Sequence, residues 1–340
     1  MNKIISHLTR PRRRKGIAGS IFRWIFPPPV FPIAFALVIL AAGSAFAENV
    51  VVDQAGRRIS TEKPFTRIIT LYAAHTENLF AMGLDEQIVG VPRNTDWPPE
   101  AGDRPIFSYH DDPERFMAVR PDLVLVRPMI DRVYAQFVQK LEQAGITAAS
   151  LQPVGMADMF DYWRDLGKLV GREAAAEEMI REFQAGLAEI RACLSGIPEA
   201  ERKRVYFEAI HSKMKTFAPA ATQIFVLEAA GGINAAPDSL QMRRTNIAAY
   251  GKERILARGE EIDVFIAQQG AMNPIRRKDI LSEPGFQAIR AVREGEVYVV
   301  DERIVSRPGP RLLEGIRAIA EILYPETMAE CETKTEGSPE

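Results

Sequence analysis

The chain has 340 residues, 46% hydrophobic and 26% charged, with 23 Gly, 23 Pro and 2 Cys. This composition excludes a disordered chain, a collagenous repeat and a disulfide-dense scaffold, and the length suffices for one large domain or two modest ones. The net charge of −2 argues against a nucleic-acid binder but conceals an asymmetry: residues 1–47 hold seven Lys and Arg and no acid, which leaves −9 for residues 48–340.

Residues 1–47 read as a secretory signal peptide. Arg12-Arg13-Arg14-Lys15 is a charged leader, Pro27-Pro28-Pro29 a break, Val30–Ala42 an uncharged run, and Ala45-Phe46-Ala47 a small-residue end with cleavage expected after Ala47. The uncharged stretch from Ile25 to Ala47 also reaches the ~20 residues of a spanning helix, so a retained anchor is the competing reading. The prolines and the Ala-x-Ala end favour cleavage and work outside the cytoplasm. No cysteine follows the apolar run, so no lipid anchor is expected. An oxidising compartment permits a disulfide, but Cys193 falls on a helical stretch and Cys331 in an acidic tail, and no structural bridge is expected.

From Glu48 onward, short β-branched runs alternate with amphipathic stretches. Arg67–Leu71 predicts a strand, Thr76–Met82 a helix stopped by Gly83, and Ile88–Val91 a second strand. Pro113–Val119 predicts a short helix, and Leu123–Val126, apolar throughout, a strand covered on both faces. A helix near Asp131–Ala144 ends at Gly145 and leads to a strand near Ala148–Leu151. Between Met156 and Leu194 no Pro or Gly-Gly interrupts the pattern. Ala176, Met179, Ile180, Phe183, Leu187, Ile190 and Leu194 there keep a three-to-four spacing, an amphipathic helix of about six turns. Arg204–Glu208 predicts a strand and Thr222–Ala230 a helix ended by Gly231-Gly232. Lys252–Ile266 then echoes Pro113–Val126: a short helix near an acid-Arg pair, a charged turn, a buried strand. After Tyr324, Glu326, Glu330, Glu332, Glu336 and Glu340 read as a solvated, frayed end.

Strands and helices alternating at this spacing specify an α/β protein of two Rossmann-like lobes, each a mostly parallel sheet with flanking helices. The expected organisation is an N-terminal lobe over 48–155, a connecting helical segment with a long rigid helix over 156–195, a C-terminal lobe over 196–327 and a disordered acidic tail over 328–340. A helix between lobes acts as a strut where Gly and Ser would let them swing. The ligand cleft is then expected between the lobes, beyond the carboxyl ends of the strands. The chain contains no G-x-G-x-x-G after a strand, Walker A, H-E-x-x-H or G-x-S-x-G, so a binder is expected rather than an enzyme.

Three stretches carry a family resemblance: Ile69–Val91, with Thr70-Leu71-Tyr72-Ala73-Ala74-His75-Thr76-Glu77-Asn78; Arg120-Pro121-Asp122-Leu123-Val124-Leu125; and Phe225-Val226-Leu227-Glu228-Ala229-Ala230-Gly231-Gly232. In this order and spacing, behind an export signal, they resemble the periplasmic substrate-binding proteins of cobalamin and ferric-siderophore ABC importers, over essentially residues 50–325. The resemblance implies a periplasmic monomer that captures a metal chelate and delivers it to an ABC permease dimer with its ATPase. It also implies two docking glutamates, Glu77 and Glu228, exposed one on each lobe and meeting permease arginines. Two carboxylates held apart by a strut would set register and steer docking.

Residues just beyond strand ends are the ligand-binding candidates: Tyr72, His75, Trp97, Tyr109, His110, Arg127, His211, Arg243, Arg244 and Arg307. Together with Arg311, the arginines favour an anionic ligand, because guanidinium forks suit carboxylates, catecholates and phosphates. That places a ferric siderophore ahead of the nearly neutral cobalamin or another corrinoid. Trp97 and Tyr109 offer stacking surfaces to a flat chelate. The alternative uses His75, His110 and His211 to hold a bare transition-metal ion, or one of them with Tyr72 or Tyr109 to ligate haem iron. No resident cofactor is expected. A chelatase-like enzyme has a comparable two-lobed build, but export opposes it, since metal insertion into tetrapyrroles is usually cytoplasmic.

Overall fold

A computed structural model describes residues 50–243 and 245–336. The leader, its cleavage site, Arg244 and residues 337–340 lie outside the described residues. The chain opens with an antiparallel hairpin of β1 (Val50–Val52) and β2 (Arg58–Ser60). The Asp53 carboxylate organises its turn by accepting from the N–H groups of Ala55 and Arg57, and also from that of Ser150 in the neighbouring sheet. That sheet forms from β3 (Ile68–Thr70), α1 (Ala73–Ala81), β4 (Ile88–Pro92), β5 (Ile106–Phe107), α2 (Pro113–Val119), β6 (Leu123–Val126), α3 (Pro128–Val133), α4 (Ala135–Gln143) and β7 (Thr147–Ser150). All its pairs are parallel, in the order β5-β4-β3-β6-β7. β6 is buried at every residue, as an uninterrupted apolar run requires when helices cover both faces. α2 starts where Pro113 follows Asp112, whose side chain accepts from the Glu114 N–H. The single helix expected near 131–144 is two, because Tyr134 leaves helical geometry (φ −121°, ψ 39°) and packs its ring against Tyr109 and His110.

Two helices connect the lobes. α5 (Met156–Val170) ends at Gly171 in left-handed geometry, and α6 (Glu173–Leu194) doubles back on it. The continuous pattern expected from Met156 therefore breaks once, and α6 alone is the strut, ~33 Å long at 1.5 Å per residue. The residues buried on α6 are the seven apolar ones spaced in the sequence, Ala176 through Leu194. Phe183 meets the edge of Trp163 on α5 with ring centroids 5.5 Å apart.

The second lobe contains β8 (Arg204–Ile210), β9 (Lys215–Phe217), α7 (Thr222–Ala229), β10 (Ile233–Asn234), β11 (Leu240–Gln241), β12 (Ile247–Ala249), α8 (Lys252–Ala257), β13 (Val264–Gln269), α9 (Arg277–Leu281), α10 (Arg290–Glu294), β14 (Val297–Asp301), α11 (Glu302–Ser306) and α12 (Leu312–Leu323). β8, β13 and β14 pair in parallel; on the edge of β8 away from β13, β10 adds a short parallel pair and β9, β12 and β11 extend the sheet antiparallel. This sheet is mixed, and its antiparallel wing consists of strands two or three residues long, too short to show a period.

The tail corrects two expectations. Residues 328–336 are not disordered: α13 (Pro325–Glu336) is helical, with Met328 buried. Cys193 and Cys331 are joined by a disulfide, Cα atoms 5.7 Å apart, within normal reach of a bridge. Glu326 and Glu330 are exposed on this helix, but Met328 is buried and Cys331 is tied to α6 by the bridge. Among the described residues no helix is long and apolar enough to cross a membrane.

The bridge closes a span of 138 residues. Cys193→Ser, or reduction, is expected to lower unfolding stability by about 2–5 kcal/mol, read as a lower denaturant midpoint. Two free thiols in the non-reduced, denatured protein, or an unchanged midpoint, would contradict the staple.

Candidate functional site

The wall of the cleft on the first lobe begins where strands give way to helices. Tyr72 follows β3 and Arg127 follows β6; each is extended and caps the next helix. The Arg127 guanidinium lies 4.5 Å from the centre of the Tyr72 ring, and its Nε donates to the Gln152 side chain at 2.9 Å. Burial raises the pKa of the Tyr72 hydroxyl, with Arg127 and Arg307 opposing and Glu77 and Glu302 adding to the shift. Glu302 belongs to the other lobe, at the start of α11. Its carboxylate accepts from the Ala271 N–H at 3.1 Å and fills the space beside Gly270, where any side chain would collide with it.

Beside the cleft the lobes are stitched by Arg307-Pro308-Gly309-Pro310-Arg311, between α11 and α12. The Arg307 guanidinium pairs with Glu77, with Asp96 at 2.7 Å, and donates to the Asn94 carbonyl at 3.0 Å. The Pro308 carbonyl accepts from the Asn78 side chain at 3.0 Å and from the Trp163 indole at 3.1 Å. Arg303 pairs with Asp96 and Asp301, and Arg311 covers the Trp97 ring at 4.9 Å. Arg307 is 6% exposed and Glu77 4%. Burial raises the Glu77 pKa, with Arg307 and Arg311 opposing. Burial also disfavours the Arg307 charge, but Glu77 and Asp96 outweigh it and hold its pKa above the ordinary value.

Several candidates therefore change role. Glu77 is not an exposed rim acid; it is the buried partner of Arg307, and Arg307 is not a free ligand-binding cation. His75 is fully buried inside α1, its Nε2 2.8 Å from the Leu151 carbonyl and its ring against Tyr72 and Tyr162. Burial lowers its pKa to about 4, so it is a neutral packing residue. His110 is exposed on the first lobe, against Tyr109 and Tyr134. His211 belongs to the second lobe, its Nδ1 2.9 Å from the fully buried Glu208 carboxylate, which raises its pKa. The three histidines do not converge, and among the described residues no group of three His, Cys, Asp or Glu side chains is arranged to hold a metal ion. Position after a strand end could not distinguish a side chain entering the cleft from one tucked under the next helix.

Trp97 remains 44% exposed and Tyr109 is half-buried. Arg243 is exposed, with φ 49°, in the loop between β11 and β12, and Arg244 lies outside the described residues. Glu228 is exposed on α7. Sequence reasoning missed Asp96, Gln152, Glu302 and Arg303. Asp96 directly precedes the singled-out Trp97, and Asp301-Glu302-Arg303 follows a strand end like the other candidates, so the same rule applied to β14 would have found them. Two surface hollows lie away from the seam: one of about 840 Å³ between β2 and the start of β7, and one of about 400 Å³ between the end of α6 and α7, lined in part by Glu228.

The model of a family described as periplasmic binding protein matches residues 68–304. An uncharacterised ABC transporter substrate-binding lipoprotein of Bacillus subtilis is 26% identical over 287 residues, covering 83% of this chain and 87% of that protein. A vitamin B12-binding protein of Vibrio cholerae is 22% identical over 265 residues, 77% of this chain and 91% of that one. A solved structure of a possible iron-binding periplasmic solute-binding protein from Staphylococcus epidermidis matches with a TM-score of 0.67 at 25% identity, over 77% of this chain and 100% of that chain.

The seam makes a graded prediction. Arg307→Ala strands a buried carboxylate and is expected to cost about 3–5 kcal/mol, whereas Arg303, 46% exposed at its side chain, should cost about 0–1 kcal/mol on truncation. Urea denaturation of both variants, and of Glu77→Ala with Arg307→Ala together, reads this. Equal costs for the two arginines, or strict additivity in the double variant, would refute a coupled buried pair.

Proposed function

Because the chain belongs to the periplasmic binding protein family, we propose that it captures a metal chelate outside the cytoplasm and delivers it to an ABC importer, without catalysis. The observation that carries this reading is the pair at two parallel strand ends of the first lobe: the Arg127 guanidinium over the Tyr72 ring, anchored by the Gln152 side chain. Strand-end clefts of this kind are where open α/β folds take ligands. Aromatic faces suit a large, flat chelate, and Arg127 and Gln152 supply polar anchors.

Charge decides the order of ligands. The arginine surplus that favoured an anionic siderophore is largely matched within the protein: Arg307 by Glu77 and Asp96, Arg303 by Asp96 and Asp301, and Arg311 by Glu314. A nearly neutral corrinoid therefore leads, in keeping with the vitamin B12-binding relative, and a ferric siderophore comes second. With His75 buried and the three histidines apart, no group of ligating side chains among the described residues favours a bare metal ion. Glu228 keeps its docking role toward the permease, and the protein acts as a monomer.

A thermal-shift panel of the chain from Glu48 with cyanocobalamin, a ferric hydroxamate, a ferric catecholate and haemin tests the order. Cyanocobalamin at 100 times its Kd should add about 2.7 kcal/mol, and Arg127→Ala should reduce that gain. Stabilisation by the ferric catecholate alone would reverse the ligand order; no response to any chelate would sink the reading. Export with cleavage after Ala47 predicts that the intact mass of the secreted chain corresponds to Glu48 as first residue. A mass retaining the apolar run would instead indicate an anchor.

A further inference from the structure

We infer that the hollow beside Glu228 is a two-sign socket, in which Arg191 and Arg202 receive a carboxylate side chain from the same permease surface whose cation meets Glu228. This rests on the docking reading of Glu228 and extends it to two residues that no motif marked. The hollow, about 400 Å³, lies between the last turn of α6 and α7, with Leu194 and Phe225 as apolar wall. Arg191, Arg202 and Glu228 all line it, yet among the described residues none of these side chains has an ion pair or hydrogen bond. The Arg202 Nε is shielded from water and has no acceptor. Glu228 has its pKa raised by burial alone, with no cation offsetting it. The charges of opposite sign share a hollow without satisfying one another.

In the seam the arginines are matched by acids, whereas these two share one hollow with an acid and pair with none, so the hollow asks for a partner. A free anion fits poorly, because Glu228 in the same wall repels it. A folded protein surface can present a fixed carboxylate and a fixed cation at once, and such complementarity sets register more than bulk affinity. The α6 wall is also pre-ordered: the Cys193–Cys331 bridge ties its last turn to α13.

The test measures docking of the full mature chain, without added ligand, to its permease–ATPase complex in lipid nanodiscs. Arg191→Glu with Arg202→Glu should weaken docking about tenfold or more, while the corresponding Lys variants stay close to wild type and all keep the wild-type melting temperature. Arg191→Glu alone guards against misfolding, since that exposed side chain has no partner to lose, and should show part of the loss. If the double reversal docks normally while Glu228→Ala weakens docking, the socket is wrong and the glutamate reading survives. If the reversal weakens docking but Glu228→Ala does not, the Glu228 assignment fails and the two-sign socket with it. Normal docking by both overturns both.

Discussion

Arg307 carries a full positive charge into a seam where it is 6% exposed, and Glu77 and Asp96 meet it there from the other lobe. An ion pair at this depth contributes little net stability, because desolvating both partners offsets their attraction; losing one partner is costly. The result is registry rather than strength. The lobes can neither slide nor separate at this edge without exposing an unmatched charge. The Pro308 carbonyl, held by Asn78 and Trp163, fixes the same loop through neutral donors. With α6 running alongside as the strut, the lobes are joined by a helix and by a charge-matched seam. Two attachments of this kind oppose a wide hinge opening, since either motion would break hydrogen bonds that packing supports.

The same seam shapes the chemistry of the cleft. Arg303, Arg307 and Arg311 cluster at one side, and a count of cations alone reads as a trap for anions. Their partners, Glu77, Asp96, Asp301 and Glu314, come from different parts of the chain, and the cluster is close to balanced once folded. Arg127, beyond this cluster, is held by a neutral amide and an aromatic face. Among the described residues Arg127 has no acid partner, so on the proposed reading it is the guanidinium left to orient a ligand.

What was legible in the sequence was what periodicity and chain order encode. The buried face of α6 follows from a three-to-four spacing, and β6 from an unbroken apolar run, and both occur as read. The antiparallel wing of β9, β11 and β12 was not legible, because a strand of two or three residues has no measurable period. Nor was α13, where an acidic composition masks a buried Met328 and a bridged Cys331. Site residues fared worse for a related reason. A strand end identifies the neighbourhood, as it did for Tyr72 and Arg127, but the direction of a side chain depends on helix rotation. His75 follows the same strand as Tyr72 and turns under α1 into the core.

The fate of the two motif glutamates shows how far a local pattern can be carried. Glu77 lies within α1 and Glu228 near the end of α7, and a motif match treats them alike. Whether either can reach a partner depends on what lies over it, and that comes from remote segments. Over Glu77 lies the loop that brings Arg307, 230 residues later in the chain. Its carboxylate is consumed inside the molecule. Around Glu228 lie Arg191 and Arg202, held apart from it across an open hollow. The two motif glutamates therefore meet different surroundings of charge. One lobe uses its glutamate to hold the two halves together, and the other leaves an acid and two bases unmatched, which is the arrangement a separate protein surface can complete.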